Sequence, residues 1–156
     1  MNFVHTNVWV FYDIANEAHS LMGKLEPPSV VPKPNGEPGR VLILDPTQRS
    51  FKAALTTIVF CGVYLEAMLH LELVKRFGEG EAESHDRKVY KSKLLLLGCS
   101  DLAVLDASEH YRIVRREVVH EKAYPDAAHM RTAQVEAEKA IQFIESVNRS
   151  LGIERG

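Results

Sequence analysis

Apolar residues return every third or fourth position over most of this chain, the period of helices buried along one side. Over 3–25, Val4, Val8, Phe11, Ile14 or Ala15, Ala18 and Leu21 or Met22 form one stripe, widened by Trp9 and Tyr12. Gly23 is the expected stop. A second helix is expected to start at Asp45-Pro46, with Asp as N-cap and Pro as first helical residue, and to run to about Phe77. From Ile58 to Leu65 it is apolar around most of its circumference, which predicts a place at the centre of a bundle or at an oligomer interface. GEGEAESHD reads as an exposed acidic turn. Ser84 is the expected cap of a third helix, about 85–97, which closes on four consecutive leucines and Gly98. Ser100 is the expected cap of a fourth, carrying Leu102, Leu105, Ile113, Val114 and Val118. Asp106–Ser108 is a point where it can break, because Asp and Ser compete for backbone hydrogen bonds. Pro125 ends it. The last helix, about 126–150, has Ala133, Ala137, Ala140, Ile141, Ile144 and Val147 on one stripe, with Gly152 after it. The pattern predicts an all-α bundle of about five helices, two of them long, in a single domain over 1–156.

Residues 26–46 break the pattern, holding six of the seven prolines. They read as a loop insertion rather than a linker, because the chain on either side is alike in character. Val41 to Leu44 can pair as a strand with Val30-Val31 across PKPNGEPG; a disordered tip is the alternative.

Composition bounds the function without naming it. A net charge of −2 gives no global pull on nucleic acid, so any such contact needs a local basic patch. Cys61 and Cys99 sit in apolar surroundings with no metal-ligand spacing, as buried thiols do. No HExxH, DxD or Cys/His cluster is present, so no metal or cofactor is expected. The N-terminal stretch lacks the basic start of a signal peptide. The longest apolar run stops at Glu66, short of a bilayer's thickness. A cytoplasmic protein with no membrane partner is the expectation.

One stretch carries candidate chemistry. Tyr111 to Tyr124, YRIVRREVVHEKAY, holds four basic side chains, two glutamates and a histidine. Arg112, Arg116 and His120 are each four apart and share a stripe. Arg115 and His120 are five apart, which puts them about 140° apart around a helix axis. Either the helix end frays to let His120 swing, or a second subunit supplies the partner group across a two-fold axis. Such groups match RNA cleavage. The RNA brings its own nucleophile, the 2′-OH; histidine accepts and donates protons near neutral pH, and arginine supplies permanent charge and a planar fork for phosphate. Glu121 can orient an imidazole or an arginine. Earlier in the chain, Glu66 and His70 interrupt the apolar helix at i and i+4. They are either a solvent-facing or internally paired couple, or a polar pair facing a cleft shared with 111–124. Spacing alone does not decide, since a basic helix end also suits the helix dipole.

The segment RIVRREVVHEK resembles the signature of the HEPN family, the higher-eukaryote-and-prokaryote nucleotide-binding helical domains. Arg115 matches the motif arginine, Val118-Val119 the aliphatic pair, His120 the histidine and Glu121 the acid that often follows. VYLEAMLHLEL resembles the family's second helix, with Glu66 as its glutamate. The resemblance covers roughly 48–150. It implies an all-α bundle and homodimers that face two Arg-x4-His motifs into one cleft. It also implies metal-independent endoribonuclease activity, often in toxins with a cognate antitoxin or in antiphage defence effectors. Arg115 and His120 would be catalytic, with Arg112, Arg116, Glu121 and Glu66 supporting RNA. Two departures stand out: Arg116 occupies a position usually small and polar, and Lys122 replaces a tyrosine found in one toxin subgroup. The alternative is a non-catalytic helical module that binds RNA, a nucleotide or a partner protein.

Overall fold

The computed structural model describes residues 7–25, 29–43, 47–120 and 132–155, with Leu42, Val119 and His120 described by backbone alone. Val4, the Asp45-Pro46 start, Glu121, Lys122, Pro125 and residues 126–131 of the expected last helix lie outside the described residues.

The protein is all-α. In order come α1 (Trp9–Lys24), β1 (Ser29–Pro32), β2 (Arg40–Ile43), α2 (Arg49–Phe77), α3 (Glu79–Ser84), α4 (Tyr90–Leu96), α5 (Leu102–His120) and α6 (Ala133–Leu151). That makes six helices among the described residues where the sequence predicts about five. The extra one is α3: the acidic stretch is a short helix, not a turn, and its Glu79 and Glu81 lie in the first turn, where a helix dipole favours them. Ser84 ends α3 rather than capping the next helix, and α4 follows only at Tyr90.

Helix α2 is the axis of the bundle and packs against all five others. Its Ile58, Cys61, Tyr64, Leu65, Leu69 and Leu73 are fully buried, as a helix apolar nearly all round requires. It begins at Arg49, after a left-handed Gln48 at φ 53°, later than the sequence predicts. Helix α2 is long and apolar enough to cross a membrane, so the interruption at Glu66 does not end its apolar stretch. About half of that stretch is buried inside the fold.

Helix α1 closes one side of α2 through Trp9, Tyr12 and Ala15, with Val8 just before it also in the core. It runs through Gly23 to Lys24, one residue beyond the expected stop. Tyr64 of α2 meets Trp9 and Tyr12 at ring-centroid distances of 5.6 and 5.2 Å and donates to Asn148 Oδ1 of α6 at 2.8 Å. Helix α6 lays Ala137, Ala140, Ile141, Ile144 and Val147 on the core. Thr132 Oγ1 caps its start by accepting from Val135 N, and a left-handed Gly152 terminates it.

Helix α5 is unbroken through Asp106–Ser108. Buried Ser108 turns its hydroxyl back onto Leu105 O at 2.6 Å, which satisfies it without opening the helix. Asp101, not Ser100, serves the start: its Oδ1 accepts from Ala103 N at 2.9 Å. Between α1 and α2 the insertion forms an antiparallel hairpin, Val30 opposite Leu42 and Val31 opposite Val41. Its tip turns through Asn35 and Gly36, both at positive φ, which Asn and Gly tolerate.

Candidate functional site

Four residues singled out in the sequence, Glu66, Arg112, Arg115 and Arg116, meet where α5 crosses α2. Gly62 makes the crossing close. A Cβ there would lie 2.6 Å from Arg115 Cδ and 2.7 Å from the Tyr111 hydroxyl, so only hydrogen fits. Tyr111 uses that approach to donate to Ile58 O at 2.6 Å, on the backbone of α2. One turn along α2 from Gly62, Glu66 reaches Arg115.

Glu66, Tyr90 and Arg115 form a closed ring of hydrogen bonds. Arg115 Nη1 donates to Glu66 Oε1 at 2.5 Å and to the Tyr90 hydroxyl at 2.7 Å; Tyr90 in turn donates to Glu66 Oε1 at 3.1 Å. The guanidinium is thus held from two helices, while its side chain keeps 25% of its surface exposed. Burial by itself pulls the Arg115 pKa down, but Tyr90, Glu66 and Tyr111 outweigh it and the pKa is raised, so the charge is permanent. Burial pushes the Tyr90 phenol up to about 12, with Arg115 lowering and Glu66 raising it. Tyr90 therefore remains a neutral donor. The Nε atoms of Arg112 and Arg115 are both buried without a hydrogen-bond partner among the described residues.

Around this ring opens a cleft of about 400 Å³. Five cationic side chains, Arg87, Lys88, Arg112, Arg115 and Arg116, line it against two carboxylates, Glu66 and Asp86. Both carboxylates are engaged, Glu66 as above and Asp86 with His70 Nδ1 at 3.0 Å. The cleft is locally basic on a chain whose net charge is −2. Oriented cations in a concave site concentrate an anionic ligand, and arginine forks match phosphate oxygens.

Of the residues singled out in the sequence, Glu66, Arg112, Arg115 and Arg116 line this one cleft. Arg112 is partly occupied by Glu109, 3.2 Å away. His120 is the last residue of α5, so the helix carries it on the same backbone as Arg115; its side chain, and all of Glu121, lie outside the described residues. Glu66 and His70 do not act as a couple, since each has its own partner. Tyr90, Arg87 and Lys88 were not legible as site residues. The Arg-Lys pair sits straight after the acidic stretch and reads as the first turn of a continuous helix, which hides that it faces α5. Among the described residues no three His, Cys, Asp or Glu side chains gather as a metal site would.

A second cleft lies on the other flank of α5, against α6. It has about 410 Å³ and a mostly apolar wall that includes Val104, Ala107, Val114 and Phe143. At its edge buried Glu136 accepts from His110 Nε2 at 2.5 Å and from Lys139 Nζ at 3.3 Å.

Comparison with family models, curated proteins and solved structures finds no match to this chain.

Proposed function

We propose that this protein is a metal-independent endoribonuclease of the HEPN type, acting as a homodimer whose two Arg-x4-His motifs share one cleft. What supports the reading is the basic cleft with Arg115 pinned to Glu66 and Tyr90. Arginine fixed in this way has lost its freedom before substrate arrives, so phosphate binding does not have to order it.

In the reaction, the base takes the proton of the ribose 2′-OH and the 2′-oxygen attacks the adjacent phosphorus. The bond to the 5′-oxygen breaks, and that oxygen leaves with a proton from the acid. The products are a 2′,3′-cyclic phosphate and a free 5′-hydroxyl. His120 is the acid/base group, its two-fold mate the complementary one. Arg115 holds the phosphate and its developing charge. Arg112 and Arg116 hold the strand, and Glu121 orients the imidazole. The activity belongs in the cytoplasm, where RNA is, and the same resemblance extends it to a toxin or antiphage effector with a cognate antitoxin.

The test is RNA cleavage in excess EDTA. Wild type is expected to cut, and His120→Ala and Arg115→Ala each to lose on the order of a hundredfold or more in rate. Sedimentation is expected to give a dimer. RNA bound but left intact by wild type would replace the nuclease with a non-catalytic binding module. A monomer in solution, or cleavage that survives both substitutions, would remove the composite cleft.

A further inference from the structure

We propose that Arg87 and Lys88, in the turn between α3 and α4, form a second phosphate subsite that holds the strand next to the scissile phosphate at Arg115. The inference rests on the reading of the cleft as an RNA site and assigns it a wall that the Arg-x4-His motif does not contain.

Three observations carry it. The cleft has two basic walls: Arg112, Arg115 and Arg116 on α5, and Arg87 and Lys88 facing them from the α3–α4 turn. Neither Arg87 nor Lys88 has a side-chain partner among the described residues, whereas the carboxylates between the walls are engaged by Arg115, Tyr90 and His70. The turn is also braced. Lys93 Nζ donates to Asp86 O at 2.9 Å, Asp86 N to Glu83 O at 3.2 Å and Lys88 N to His85 O at 2.9 Å. Two residues past Lys88, Tyr90 locks the same turn to Arg115 itself. The subsite is therefore keyed to the arginine expected at the scissile phosphate.

The chemistry that fits is a single RNA strand. Successive phosphates recur along it, so two basic walls grip neighbouring ones while the base between them projects outward. A cleft of about 400 Å³ admits a nucleotide unit between the two walls.

Binding is read by fluorescence anisotropy of a labelled single-stranded RNA of about ten nucleotides, with His120→Ala as the parent so that cleavage does not interfere. Against that parent, adding Arg87→Ala and Lys88→Ala is expected to weaken binding about tenfold and to lower the salt slope by about 1.4, two phosphate contacts' worth for a single strand. Lys24→Ala with Lys52→Ala, an equal charge loss at exposed positions outside the cleft, is expected to change affinity less than twofold. Circular dichroism melts confirm that each variant is folded. The proposal is overturned if the parent binds no RNA at low salt, if the Arg87/Lys88 variant stays within twofold of it, or if the control pair loses as much. Wild type that binds but does not cut RNA overturns the nuclease reading alone and leaves the subsite to stand on the anisotropy result.

Discussion

Helix α5 separates two clefts of nearly equal volume, about 410 Å³ against α6 and about 400 Å³ against α2 and the α3–α4 turn. Size does not tell them apart; their walls do. Val104, Ala107, Val114 and Phe143 face the first, and Arg112, Arg115 and Arg116 face the second. Three and four residues carry the chain once around, so neighbours such as Val114 and Arg115 fall on different flanks. The first cleft is a seam of the core. Its one buried carboxylate, Glu136, is already held by a histidine and a lysine. The second leaves cations over after its carboxylates are satisfied. What marks a candidate site here is surplus charge on a fixed frame, not the depth of the hole.

Substitutions on the two flanks should therefore separate stability from binding. The largest expected effect is at Phe143, buried against Tyr111 with ring centroids 5.4 Å apart. Phe143→Ala should cost about 3–5 kcal/mol in a denaturant melt while RNA affinity per folded molecule stays unchanged. Gly62→Ala strikes both flanks through one methyl group. It should destabilise by about 1–3 kcal/mol and, by pushing Arg115 aside, slow RNA cleavage as well; a variant that cuts normally would mean that Arg115 does not need its present position.

Tyr90→Phe comes next, at about 1 kcal/mol for the lost hydroxyl bonds. It also has a pH signature. The fold favours the neutral phenol and holds its pKa at about 12, above the ordinary value of 10.0. Its contribution is present below pH 10 and is lost as pH rises from 10 towards 12. The melting temperature of Tyr90→Phe should therefore fall less steeply over that window than that of wild type. The smallest effect on stability is at exposed Arg116, where Arg116→Ala should stay within about 0.5 kcal/mol. Its RNA salt slope should nonetheless drop by about 0.7; an unchanged slope would take Arg116 out of the binding face.

The helices were largely legible because burial writes a period into the sequence, as in α6, where the alanine and isoleucine stripe lies on the core. The hairpin was legible as a pairing of Val30-Val31 with the run Val41 to Leu44, since prolines and Asn-Gly bound two short apolar runs; the structure sets Val30 opposite Leu42 and Val31 opposite Val41. The start of α2 and the presence of α3 were not. Asp-Pro and a glycine-rich acidic run are local signals, and where a helix begins depends on neighbours far along the chain. The site divides the same way. Glu66 stood out as an interruption of an apolar helix, and Arg112, Arg115 and Arg116 as a basic run at a helix end. Tyr90 did not, because a tyrosine inside an expected helix over 85–97 reads as core until the arginine that takes its hydroxyl is located. Arg87 and Lys88 belong to the site only through the path of the turn that carries them.

Gly62 gives the arrangement a fingerprint that can be looked for in other chains. The contact at this crossing leaves no room for a Cβ at one position on α2 while Arg115 and Tyr111 hold their places, four places before the glutamate that takes the arginine. In a relative, an arginine and a glutamate at the matching positions, together with glycine at the position of 62, would imply the same seating of the guanidinium. The same two charges with any larger residue there would have to meet in another way. The smallest residue in the helix is thus a better marker of this geometry than either charged one.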